Sequence, residues 1–163
     1  MKKVSTIFLQ VVVVLMGLGV LAILVIEPRY EGVNVNRHAT FIEIYFQDAF
    51  LAYAYTGSIA MFTALYQAFK LLDLLRRGEF FSVRAVKALR TIKFCAMVMV
   101  GFLLGAEVFF GTIQKRKGED IAGGVMMGLI LIFICSVVGT AAAVFERTLQ
   151  SAVEMKLEND LTA

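Results

Sequence analysis

Histidine occurs once in this sequence, at His38, proline once, at Pro28, and cysteine twice, at Cys95 and Cys135. A zinc site takes about four clustered ligands, which this chain cannot assemble from Cys and His, so no metal is expected. Both cysteines fall inside apolar runs, where a thiol acts as a small apolar side chain, and no disulfide is assigned. Charge is scarce as well: the run from Ile121 to Phe145 has none, and the run from Phe94 to Ile113 has only Glu107. Acid–base catalysis by paired carboxylates needs two acids in one pocket, and Glu107 has no second acid near it in the apolar runs. A Gly-rich phosphate loop, a nucleophile elbow, a His-Glu metal motif and an EF-hand loop are all missing. These absences point away from an enzyme and from a cofactor. The basic residues have no interleaved aromatics on which bases would stack, so direct nucleic-acid binding is not expected either.

What the chain does have is apolar length. Sixty per cent of its 163 residues are hydrophobic, with a mean hydropathy of +0.80, against about 45–50% in an ordinary soluble domain. Four runs stand out: Ile7 to Ile26, broken only by Gln10; Ala49 to Phe69; Phe94 to Ile113; and Ile121 to Phe145. About 20 helical residues at 1.5 Å each cover a hydrocarbon layer of about 30 Å. Lipid offers no partners for backbone N–H and C=O groups, so the runs are read as helices rather than strands. The expected fold is all-α, a single transmembrane domain over residues 1–163 built as a four-helix bundle. A connection covers residues 70–93, a helical tail covers 146–163, and helices three and four extend beyond the membrane.

Lys2 and Lys3 before an apolar run also fit a signal peptide. This run, however, is longer than a signal core of about 7–15 residues, and Glu27-Pro28-Arg29 follows instead of small residues. It is read as a retained anchor, ended by Pro28, whose ring cannot continue the hydrogen-bond ladder. Of the sixteen Lys and Arg residues, eleven fall before the first run, between runs two and three, or after run four. The other five are Arg29, Arg37 and the triplet Lys115 to Lys117. The positive-inside rule therefore places both ends and the 70–93 connection in the cytoplasm of a bacterial inner membrane.

Polar and small residues inside the runs are the candidate sites. Glu107 lies about four residues, or roughly 6 Å, outward from the middle of the third run. An unpaired carboxylate there costs several kcal/mol and is a functional candidate by default. Tyr55 falls at a similar depth in the second run, with Tyr53 nearer the surface, and either phenol is placed to donate to it. A structural hydrogen bond and a proton-linked or ligand-binding role both remain open for this trio. Gln10, Gln67 and Thr140 are read as interhelical contacts. Gly101 and Gly105, and Gly124 and Gly128, are small residues four apart that let helices approach closely, within the bundle or across a homodimer seam.

Outside the runs, Gly78 is suited to end helix two and Ser82 to cap the next helix. From there Arg84, Lys87, Arg90 and Lys93 recur every third position along one helix face. That stripe suits anionic lipid headgroups or an acidic partner. Leu149, Val153 and Leu157 recur every fourth position with Glu146, Glu154, Glu158 and Asp160 among them, so helix four is expected to continue as an amphipathic tail that can pack on the basic stripe. The apolar segment Phe41 to Phe46 in the first outer loop suits the membrane interface or an external partner. The second outer connection, Gln114 to Asp120, is short enough to make spans three and four antiparallel neighbours.

The stretch Gly78-Glu-Phe-Phe-Ser82, the following Ala85-Val-Lys-Ala-Leu-Arg90-Thr-Ile, and the tail Leu157-Glu-Asn-Asp-Leu-Thr162 resemble a family of small bacterial four-helix membrane proteins of unknown function. Phe80 stands where that family often has proline, Ala85 where it has asparagine, and Ala163 where it ends in valine. Its members are often encoded beside a Cro-type helix-turn-helix regulator. By resemblance, then, the expectation is a non-enzymatic membrane regulator that binds a small cytoplasmic protein, such as a transcription factor, through Arg84 to Lys93 and the tail. The alternatives are a resistance or immunity protein against a membrane-active compound, and a small proton-coupled transporter using Glu107.

Overall fold

The computed structural model describes residues 2–35, 49–109, 111–112 and 122–162. These form four helices: α1 (Lys2–Val35), α2 (Ala49–Arg77), α3 (Val83–Phe109) and α4 (Ala122–Thr162). Each contains a stretch long and apolar enough to cross a bilayer. The apolar segment 41–46, the connection 114–120, His38 and the triplet 115–117 lie outside the described residues.

At 41 residues, α4 is about 61 Å long, twice the hydrocarbon thickness of about 30 Å, so much of it stands outside any bilayer. Its charge-free stretch ends at Phe145, and from Glu146 onward it is the amphipathic tail. Likewise, α2 passes Phe69 to end at Arg77, and α3 begins ten residues before Lys93 gives way to Phe94. The connection 70–93 is therefore two helix extensions joined by a five-residue turn, Gly78 to Ser82. The first helix departs from expectation: α1 continues through Pro28 to Val35. A proline removes one N–H from the ladder, and in a helix of 34 residues the remaining bonds carry it past that gap.

The turn follows from its residues. Gly78 adopts φ +78°, the left-handed conformation that only glycine takes without a Cβ clash. Its N–H donates to the Leu75 carbonyl and that of Glu79 to the Leu74 carbonyl, at 3.2 and 2.9 Å, closing α2 as a Schellman motif. Ser82 then caps α3: the Ala85 N–H reaches the Ser82 Oγ at 3.4 Å.

Contacts run α1 to α2, α2 to α3 and α3 to α4, and among the described residues α1 and α4 do not meet. The bundle is thus an open row of antiparallel helices, with Gly17 of α1 near Leu65 and Gly139 of α4 near Ala96. The start of α1, the turn and the end of α4 all lie at one end, called here the turn end. In α1, Thr6 and Gln10 are 7% and 8% exposed while most of the apolar residues around them are bare. They begin a seam through Val13, Gly17, Val20 and Leu24 that faces α2, the helix α1 contacts among the described residues.

The best-packed part of the molecule lies outside the hydrocarbon stretch. Leu74 of α2, Ala85, Val86 and Leu89 of α3, and Leu149 and Val153 of α4 form one buried cluster, with Leu71 and Phe80 against it. Most large side chains of α4 between Met126 and Phe145 are exposed instead, as lipid-facing residues should be.

Candidate functional site

The cluster makes a platform at the turn end, and its charged face is the first candidate site. Glu146 falls on the same stripe of α4 as Ala142, Leu149 and Val153, and all four are buried. A carboxylate on such a stripe requires cations opposite. Arg90 Nε donates to Glu146 Oε1 at 2.7 Å and Lys93 Nζ to Oε2 at 2.5 Å. The Lys93 and Arg90 hydrogen bonds hold the Glu146 carboxyl below the ordinary Glu range, against the opposing pull of burial. The basic stripe is thereby divided. Arg90 and Lys93 clamp α3 to α4, whereas Arg84 and Lys87 are exposed and have no ion-pair partner among the described residues. The expected docking face is correspondingly smaller, since Leu149 and Val153 are core residues and only Leu157 of that apolar series is exposed. Sequence reasoning grouped Glu146 with the tail acids. Its position between Ala142 and Leu149 was the available signal.

The trio at the far end of the row is dispersed rather than assembled. Tyr55 Oη donates to the Leu24 carbonyl of α1 at 3.1 Å. Tyr53 Oη donates to the Phe102 carbonyl of α3 at 2.7 Å, with the two rings 4.9 Å apart. Glu107 points the other way, at Gly128 of α4, where a methyl group would overlap its carboxylate. Residues 105 and 107 are about 200° apart around a helix, so α3 uses opposite faces for Tyr53 and Glu107. The two phenols thus bond backbone carbonyls across the α1–α2 and α2–α3 interfaces, and neither is the partner expected for Glu107. The Glu107 side chain is half-buried and has no hydrogen bond among the described residues.

The glycine pairs are each half used. Gly105 accommodates the Tyr53 hydroxyl and Gly128 the Glu107 carboxylate, while Gly101 and Gly124 face open space. Two glycines outside these motifs make close approaches instead: a methyl at Gly57 would meet the Phe102 ring, and one at Gly139 the Ala96 Cβ, both at 3.2 Å. Thr140 does not bridge helices, because its hydroxyl bonds the Ser136 carbonyl of its own helix at 2.8 Å.

Between the turn and the α4 tail lies an open groove of about 870 Å³. Phe80 turns into the core and Phe81 turns out, the two rings edge to face at 5.8 Å. Phe81 and Met155, 58% and 62% exposed, line the groove together with Val83, Arg84, Lys156 and Glu79.

Fold and site together define a multi-pass all-helical membrane protein with a packed helical platform at one end. Residues 9–163 match the family described as "Protein of unknown function (DUF2975)", and the chain belongs to that family. It is 34% identical to the "Uncharacterized membrane protein YoaS" of Bacillus subtilis (strain 168), over 99% of each chain. No solved structure matches it.

Proposed function

We propose that the protein is a non-enzymatic regulator in the bacterial cytoplasmic membrane, with the platform and both ends in the cytoplasm. On this reading the platform holds a small cytoplasmic protein such as a helix-turn-helix transcription factor. The supporting observation is where the packing lies. The buried cluster is in the platform, while the described helices form an open row. A device whose work is done inside the bilayer needs side chains gathered within it, and here the buried apolar cluster lies beyond the ends of the apolar runs. Orientation rests on the distribution of Lys and Arg, eleven of sixteen at the turn end.

Full-length protein extracted in mild detergent is expected to recover a helix-turn-helix regulator expressed alongside it. An Arg84→Glu/Lys87→Glu double variant should lose most of that recovery with unchanged melting, since neither cation has an ion-pair partner among the described residues. Equal recovery would overturn the reading. The variant leaves Arg90 alone, because reversing it would break the Glu146 clamp.

Glu107 favours a second reading, resistance to a membrane-active compound or proton-coupled transport. A half-buried carboxylate set against bare backbone, without a hydrogen bond among the described residues, is an unusual thing to keep in a membrane helix. Wild-type sensitivity and flux in Glu107→Gln cells would remove it.

A further inference from the structure

The groove at the turn end has a property that the platform reading does not need. Its apolar residues lie where neither the protein core nor the bilayer covers them. The apolar run of α3 starts at Phe94 and that of α4 ends at Phe145, so the hydrocarbon edge lies near Lys93. Arg84 is nine residues further along α3, which is about 13 Å of helix. The headgroup layer on one side is only about 5–8 Å deep. The groove therefore opens on the water side of the headgroup layer. Phe81, Val83 and Met155 are exposed in that position, beside the cations Arg84 and Lys156.

From this we infer that the groove seats an acidic amphipathic helix of a cytoplasmic protein. The proposal rests on the regulator reading and names the chemistry of the partner. The lining is mixed, apolar and charged. Phe81, Val83 and Met155 supply its apolar surface, the kind that the helix-in-groove mode of recognition uses. Arg84 from α3 and Lys156 from α4 supply cations, and Glu79 is the one acid in the lining. Among the described residues neither cation has an ion-pair partner, unlike Arg90, Lys93, Arg76 and Arg77, which are all paired. Lys87, three residues on from Arg84 in α3, is a further cation without an ion-pair partner among the described residues, outside the groove lining. An occupant with leucines on one face and carboxylates on its flanks matches both features. A basic helix would leave both lining cations opposed by like charge.

The experiment uses full-length protein in phosphatidylcholine nanodiscs and two fluorescent helical peptides, one of leucine and glutamate, the other of leucine and lysine in the same pattern. Anisotropy is expected to detect the glutamate peptide and not the lysine peptide. Arg84→Glu/Lys156→Glu should weaken the glutamate peptide by at least about tenfold, and Met155→Glu should do so independently. All three positions are exposed, and melting verifies that the variants fold. Failure of the glutamate peptide to bind, or binding that all variants retain, overturns the proposal. So does binding that appears only when phosphatidylglycerol is added, since that outcome assigns the cations to lipid. If the peptide fails while recovery of the regulator still depends on Arg84 and Lys87, the groove proposal falls and the platform reading stands.

Discussion

Lys93 and Glu146 are separated by 53 residues in sequence and by 2.5 Å in space. With Arg90 on the other carboxylate oxygen, they join α3 to α4 at the level where both helices leave the hydrocarbon. The three groups are not equally placed. The Glu146 side chain is 6% exposed, whereas Arg90 and Lys93 are 60% and 31% exposed.

That asymmetry predicts which half of the clamp matters. Removing the cations leaves the carboxylate of Glu146 without its partners, which costs on the order of 1–3 kcal/mol. Removing the acid leaves two cations that turn to water at little cost. Arg90→Gln/Lys93→Gln should therefore lower the melting point in detergent well below that of Glu146→Gln. Equal losses would show that Glu146 is reached by water.

The same clamp predicts a pH dependence. Its two cations hold the folded-state Glu146 below the ordinary 4.5. Its contribution is therefore present above that value and is lost as pH falls through the lower folded value. Wild type should melt above Glu146→Gln at neutral pH, and the gap should close in acid below about pH 4.5. Other carboxylates titrate in both proteins and cancel in the difference. A gap that stays constant down to acid unfolding would contradict the assignment.

The four spans were legible because lipid demands long apolar runs, and the turn was legible because Gly78 and Ser82 each have one strongly favoured local use. The partners were not. Tyr53, Tyr55 and Glu107 share a depth, so counting residues along helices placed them together. Which face of α3 meets α2 and which meets α4 depends on side chains packed all along both interfaces, and depth carries no record of it. Pro28 was misleading for a related reason. Its local rule is real, but one missing hydrogen bond is small beside the many others in α1. Glu146 was readable in principle, because it lies on the stripe of Ala142, Leu149 and Val153. The alternation of other acids around it hid that register.

The location of the core makes a prediction about stability. Leu89 and Leu149 are 5% and 4% exposed in the platform, and truncating such residues to Ala costs about 2–5 kcal/mol. Leu129 and Phe133, at the lipid face of α4, exchange one apolar neighbour for another when truncated. Leu89→Ala and Leu149→Ala should each lower the melting point by many degrees, and Leu129→Ala by almost none. A reversed order would place the stabilising packing inside the membrane.

The glycine pairs make the sharpest prediction, because each pair contains its own control. A methyl at Gly105 collides with the Tyr53 hydroxyl and breaks its bond to the Phe102 carbonyl, a loss of about 1 kcal/mol. A methyl at Gly101 meets nothing and gains up to about 1 kcal/mol of helix propensity. Gly105→Ala should thus destabilise and Gly101→Ala should not. In a Tyr53→Phe background the hydroxyl is already gone, so Gly105→Ala should lose most of its effect. The α3–α4 interface repeats the logic: Gly128→Ala should be costly with Glu107 present and mild in Glu107→Ala, while Gly124→Ala is tolerated in both. If Gly101 and Gly124 prove as sensitive as their partners, they face a surface that the described residues leave open and that a homodimer seam would cover. The double-mutant cycles would then identify which helix presents it.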